Sequence, residues 1–302
     1  MILGLKIDVC TYGGLRFGVP HVLRLLRSHG ITASFFVAMG PDTSGRAALR
    51  ALRPGFLAKM WRTRAIRTYG LRTVLSGTLL PPRHMGRGLA PLLREVIAAG
   101  HELAIHGYNH RRWQDRLHRM EAWEVRAEIG RAAAVYREVT GEAPRGFGAP
   151  GWQASPASLR AVDESGFEYA SDTRGTRPFF PSGAGEKFRT LQLPTTSPTL
   201  DEVLGLDRMG PDDFVTLVRA GLQGQTWSVL TLHAELEGIW YQGMAGRLLA
   251  GLLEDGVTCV PLEALAQAVR ASGDPIPVAE VVLLPIRGRA GTVAMPAGFA
   301  VP

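Results

Sequence analysis

A chain of 302 residues that is 46% hydrophobic, with a mean hydropathy of +0.04, can bury one large core or two small ones. Two cysteines, Cys10 and Cys259, exclude a disulfide-stapled scaffold, no apolar run reaches membrane-span length, and no basic-then-apolar leader precedes Ile2, so an intracellular protein is expected. The net charge of +7 is local: from Thr43 to Arg94 stand eleven basic residues and no acidic one, and outside that stretch 23 basic residues face 27 acidic, a net of −4.

The chain opens on a strand, Ile2 to Ile7, that runs on through Asp8-Val9-Cys10-Thr11. A Gly13-Gly14 turn follows, then a helix opening at Gly18-Val19-Pro20, where proline suits the first turn, and Gly30 stops it. The next strand lies within Ile31 to Met39. Short connections between these elements predict a parallel sheet.

The basic stretch interrupts this alternation. Phe56, Leu57, Met60 and Trp61 stand at helical spacing among Lys59, Arg62, Arg64 and Arg67. An apolar stripe edged with arginine suits a helix lying on an anionic membrane, with Phe56, Trp61, Arg62, Arg64 and Arg67 as contacts. The competing reading is a helical excursion packed on the main domain with a solvated basic face. No nucleic-acid motif accompanies the charge, and no protein partner is evident.

Alternation resumes with a helix from Leu92 to Ala99 and a strand, His101 to Ile105, which ends in His106-Gly107-Tyr108-Asn109-His110. Two imidazoles four residues apart at a strand exit have metal-ligand spacing; the bland alternative is two unrelated surface histidines. Arg111 to Gln114 reads as polar loop, and a long helix runs from about Arg119 to Val139. Further strands end in the glycine-rich Gly148-Ala149-Pro150-Gly151-Trp152, in Ser171-Asp172-Thr173-Arg174-Gly175, and in Thr231-Leu232-His233. Helices are predicted from Ser155-Pro156, over Pro211 to Leu222, over about Tyr241 to Leu253, and through Val269. Asp8, His106, His110, Asp172 and His233 all lie at strand exits, the face that carries active sites in parallel α/β barrels.

These motifs, in this order, resemble the NodB-type polysaccharide deacetylases. Within them the chain is most similar to the deformylases of undecaprenyl-phosphate 4-deoxy-4-formamido-L-arabinose in lipid A modification. Gly40-Pro41-Asp42, Arg53-Pro54-Gly55-Phe56-Leu57, Trp113-Gln114 and Ala234-Glu235-x-Glu237-Gly238 extend the likeness over Leu3 to Val269. The resemblance implies a single distorted (β/α)7 barrel of parallel strands over residues 1–272, with a basic helical insertion at about 43–94. The 273–302 tail is left as disordered or packed on the barrel. The implied activity is metal-assisted hydrolysis of the N-formyl or N-acetyl group of an amino sugar linked to polyprenyl phosphate, by an enzyme peripheral on the inner face of the cytoplasmic membrane.

In the roles so implied, His106 and His110 hold a divalent metal, Asp8 is the general base, and His233 is the acid that protonates the departing amine. Asp172 orients His233 or fixes a basic partner, and Arg174 holds a carboxylate or the lipid phosphate, against a structural ion pair for each. Trp152 and Glu235 join them as substrate-binding or orienting residues. The chain departs from the family where a third metal ligand is an aspartate, because that position is Cys10. A thiolate there favours Zn2+ over Mn2+, Co2+ or Ni2+; otherwise Asp8 itself binds the metal, or Cys10 is a small apolar residue. The arginine that typical deacetylases carry near Gly148 is also missing. A deacetylase of a soluble or polymeric N-acetyl sugar, and a catalytically silent glycolipid-binding protein, remain as alternative functions.

Overall fold

Strand β1 (Ile2–Val9) carries alternating side chains to two different environments. Leu3, Leu5, Ile7 and Val9 are fully buried in the main apolar cluster with Val22, Leu23 and Leu26 of the helix Val19–Ser28. Lys6 and Asp8 point the other way, to the inside of the sheet. The computed structural model describes residues 1–45, 76 and 80–301. Phe56, Trp61, Arg62, Arg64 and Arg67, the expected membrane contacts, lie outside the described residues.

One edge of β1 pairs along its length with β9 (Trp227–His233). The other edge is shared: Ile2–Gly4 face β10 (Thr258–Val260), and Lys6–Val9 face β2 (Ser34–Val37). From β2 the sheet continues through β3 (Glu102–Ile105), β4 (Gly146–Phe147), β5 (Tyr169–Ala170) and β8 (Leu191–Gln192), every pairing parallel. Beyond β8 the chain turns back to β9. Thr196 donates its amide to the Val229 carbonyl at 3.0 Å, and the Thr195 and Thr231 hydroxyls meet at 2.7 Å. The expected α/β barrel of parallel strands ringed by helices is therefore present.

Several local expectations are corrected. Gly13-Gly14 is not a simple turn, because Gly14–Gly18 is already helical and leads directly into the helix Val19–Ser28. His110–Arg116 is a helix rather than polar loop; Asn109 caps it by accepting the Arg112 amide at 2.9 Å, and Trp113 is fully buried. The long helix starts at Ala122, where Glu121 and Glu124 form a capping box, and ends at Thr140 before a left-handed Gly141.

The tail is an ordered hairpin of β11 (Val278–Pro285) and β12 (Thr292–Pro296). β11 lies parallel to β6 (Phe180–Gly183), which pairs with β7 (Glu186–Lys187), giving a small second sheet. Ile286, Val293 and Met295 from this tail bury Trp152. No helix among the described residues is long and apolar enough to cross a membrane.

Candidate active site

β1 and β9 are in register at Asp8 and His233, so two groups 225 positions apart in sequence stand on adjacent strands at one level. β3 delivers His106 one residue past its end, and the helix that follows begins with His110. The imidazole centroids are 5.0 Å apart. Cys10 Sγ and one ligand atom from each histidine lie within 4.8 Å of one another, a donor set of two nitrogens and one sulfur. His106 Nδ1 lies 2.8 Å from the Gly148 carbonyl, which can only accept, so Nδ1 bears the proton and Nε2 keeps its lone pair.

The electrostatics suit a cation. Burial lowers the His106 pKa to about 4, leaving a neutral ligand at neutral pH. Burial, and then the negative charges of Glu235 and Asp8, push the Cys10 thiol well above its ordinary value. A dication would reverse that bias and favour the thiolate. The donor chemistry and the local excess of negative charge thus fit a divalent metal. Asp8 is different: burial opposes its ionisation, yet Lys6, His106 and His233 together hold its carboxyl below the usual range.

Cys10 owes its position to Glu235. One oxygen of that carboxylate accepts from the Cys10 amide at 2.9 Å, the Thr11 amide at 2.8 Å and the Thr11 hydroxyl at 2.9 Å. Gly14 permits this wrap, since a Cβ there would fall 2.1 Å from the same oxygen. Glu235 is therefore an orienting residue for the loop that presents Cys10. Glu237, whose Oε2 accepts the His233 amide at 2.8 Å, anchors the acid candidate in the same way, and burial raises its pKa to about 7.

Trp152 stands edge-on to His233, with ring centroids 6.3 Å apart, and its indole N–H donates to the Thr195 hydroxyl at 3.2 Å. Asp172 and Arg174 take up other positions. Asp172 accepts from the Gln192 amide group at 2.9 Å and lies close enough to Lys6 to feel its charge, while His233 Nδ1 is buried with no hydrogen-bond partner among the described residues. Asp172 thus makes no hydrogen bond to His233 Nδ1. Arg174, 1% exposed, spends its guanidinium on Glu202 at 2.6 and 2.8 Å and on the carbonyls of Thr195 and Ser197. Among the described residues its guanidinium is thus engaged in a buried ion pair and in backbone contacts.

Lys6, Glu202 and Glu237 take part in the site or its walls and were not singled out by sequence reasoning. Glu237 stands in the Ala234-Glu235-x-Glu237-Gly238 motif without a role of its own, and Lys6 sits two residues before Asp8 on a strand, hence on the same face.

The polysaccharide deacetylase family profile matches residues 4–170. A Shewanella sediminis (strain HAW-EB3) protein named as a 4-deoxy-4-formamido-L-arabinose-phosphoundecaprenol deformylase is 34% identical over 289 residues, 96% of this chain and 92% of its own. A protein of the same name from Wigglesworthia glossinidia brevipalpis is 28% identical over 93% of this chain and 97% of its own. Among solved structures, a Mycobacterium smegmatis protein described as a polysaccharide deacetylase superposes with a TM-score of 0.64 at 21% identity, covering 91% of this chain and 92% of that one. PuuE allantoinase shares the fold with a TM-score of 0.60 at 19% identity, over 90% and 91% of the two chains. With a family match over more than half its length and a full-length relative above 30% identity, the chain belongs to the polysaccharide deacetylase family and is a carbohydrate amide hydrolase.

Proposed function

We propose that this enzyme removes the formyl group from a formamido sugar carried on polyprenyl phosphate, in lipid A modification, working at the inner face of the cytoplasmic membrane. The observation that carries the reading is the convergence of Cys10, His106 and His110 beside Asp8 and His233. The full-length likeness to proteins named as lipid-linked sugar deformylases supplies the substrate class.

Cys10, His106 and His110 would hold the divalent ion, and a thiolate in the set favours Zn2+. Bound there, the ion supplies Lewis acidity toward the amide carbonyl. Asp8, ionised at neutral pH, takes a proton from the attacking water. His233, across the β1–β9 pair, gives a proton to the departing nitrogen, which is a poor leaving group until protonated. Glu235 and Glu237 keep the two loops in place, and Trp152 forms the wall behind His233. The basic 43–94 segment is assigned to the anionic membrane surface where such a substrate resides.

The test is formate release from a polyprenyl-phosphate-linked formamido sugar, set beside acetate release from its N-acetyl analogue, with zinc-loaded and chelated enzyme. Zinc-dependent formate release with little acetate supports the reading. Equal turnover of the acetyl compound, or preference for a water-soluble sugar, overturns the deformylase and lipid-linked parts respectively.

A further inference from the structure

Lys6 has no solvent access, and none of the roles above employs it. Its ammonium lies 3.3 Å from Asp8 Oδ1 and 3.4 Å from the Ser171 carbonyl, to which it donates. The Asp172 carboxylate lies close enough to feel its charge without bonding to it, and aromatic faces pack around the ammonium, with Phe36 at 4.8 Å and Trp152 at 5.7 Å from Nζ to the ring centroid. Gly148 leaves the room: a Cβ there would come within 2.6 Å of the Phe36 ring and 3.4 Å of the ammonium. Desolvating a buried ion costs several kcal/mol, and an apolar side chain of similar volume is often as stable or more so. Stability alone therefore does not account for a charge at this point of the barrel.

The carboxylate above it does. Asp8 divides its oxygens, Oδ1 toward Lys6 and Oδ2 toward His106 Nε2 at 3.9 Å. The geometry points to Lys6 as a positioning residue that holds Asp8 outside the coordination sphere of the metal at Cys10, His106 and His110, so that the carboxylate stays free to act as base. This rests on the metal-site and general-base assignments proposed above. Without the ammonium, Asp8 is a buried anion beside a dication, and its nearest compensation is to bind the ion directly. A carboxylate so bound cannot serve as base. Because Lys6 acts through Asp8 rather than on the substrate, its loss falls on kcat and spares KM.

The experiment uses the full chain loaded with Co2+, comparing the parent, Lys6→Met, Lys6→Arg and Lys6→Met combined with Asp8→Asn. Cobalt absorption bands report the ligand set, chelator competition reports affinity, and formate release gives kcat and KM. In Lys6→Met the cobalt is retained at parent affinity or tighter and its d–d bands change. Adding Asp8→Asn cancels that change, and Lys6→Arg restores the parent spectrum. Turnover falls roughly a hundredfold in Lys6→Met, with KM within about twofold, and adding Lys6→Met to Asp8→Asn costs little more. Should Lys6→Met fail to fold, Lys6→Gln carries the same comparison. A parent that binds cobalt while Lys6→Met keeps parent bands and parent kcat overturns this proposal alone. A parent that takes up no cobalt overturns the metal-site reading and this proposal with it.

Discussion

Two regions at the barrel mouth contain similar residue types and treat them oppositely. Around Asp8, Cys10 and His233, buried polar atoms stand without hydrogen-bond partners among the described residues, His233 Nδ1, Glu235 Oε2 and Glu237 Oε1 included. Around Arg174 the reverse holds: Glu202 takes two contacts from one guanidinium nitrogen, backbone carbonyls take the others, and the Trp152 ring lies between Arg174 at 5.1 Å and Arg289 at 4.7 Å. Leaving a buried polar group unsatisfied costs about 1–3 kcal/mol, so a fold that tolerates several in one place keeps them for chemistry. Where the buried charges are paired, as at Arg174 and Glu202, the fold has built a wall.

The contrast is broken most directly at the unsatisfied side. Asp8→Asn and His233→Ala are each expected to lower kcat by roughly 10²–10⁴, and Asp8→Asn also lowers stability, because the buried Lys6 ammonium loses its carboxylate partner. Near-normal turnover in either would transfer the acid–base roles elsewhere. On the satisfied side, Arg174→Met should cost up to about 3 kcal/mol of stability, because the buried Glu202 keeps only its longer 3.6 Å contact with Arg289 in place of the close pair. Restoring the balance with Glu202→Gln should recover part of that loss, and denaturant melts of both variants decide it.

Cys10 sharpens the comparison through protons. Its thiol is held well above the ordinary value, so at neutral pH one proton leaves when the metal binds as thiolate, and log affinity for zinc should rise by about one per pH unit from about pH 6 to 8. Cys10→Ala should weaken zinc by at least about a hundredfold and abolish that slope over the same range. An unchanged slope would remove the thiolate from the ligand set.

Asp172 falls between the two regions, half satisfied by Gln192. Burial raises its pKa from 3.8 to about 6, so between those values the folded chain holds a proton that the unfolded chain has released. Stability therefore falls as pH rises through that window, by on the order of 3 kcal/mol at most. Asp172→Asn should flatten this part of the pH–stability profile, with the gain at pH 7 and none at pH 3.5. The smallest effect belongs to Arg289→Ala, which loses a cation–π contact with Trp152 and the 3.6 Å ion pair with Glu202, and should cost about 1–2 kcal/mol with kcat within a few fold.

The strand-exit residues Asp8, His106, His110 and His233 were legible because a parallel β/α sequence brings every strand exit to one face, whatever the loops do. Arg174 looked equally functional by the same rule. Its partner Glu202 lies 28 residues on, in a short helix, and no spacing announces that pairing. Lys6 was legible in principle from the two-residue period of β1, but its burial depends on Phe36, Gly148 and Trp152, contributed by three other segments.

The alternation of strands and helices, the family motifs and the metal-ligand spacing of the histidine pair are written in the chain order, because they follow from local periodicity and short-range order. The meeting of Cys10 with the two histidines, the pairing of Arg174 with Glu202 and the packing of the 278–296 hairpin behind Trp152 come from the folded chain. The physical reason is that ligand sets, ion pairs and burial are properties of which side chains converge, and convergence is settled by strand register and packing between segments distant in the chain.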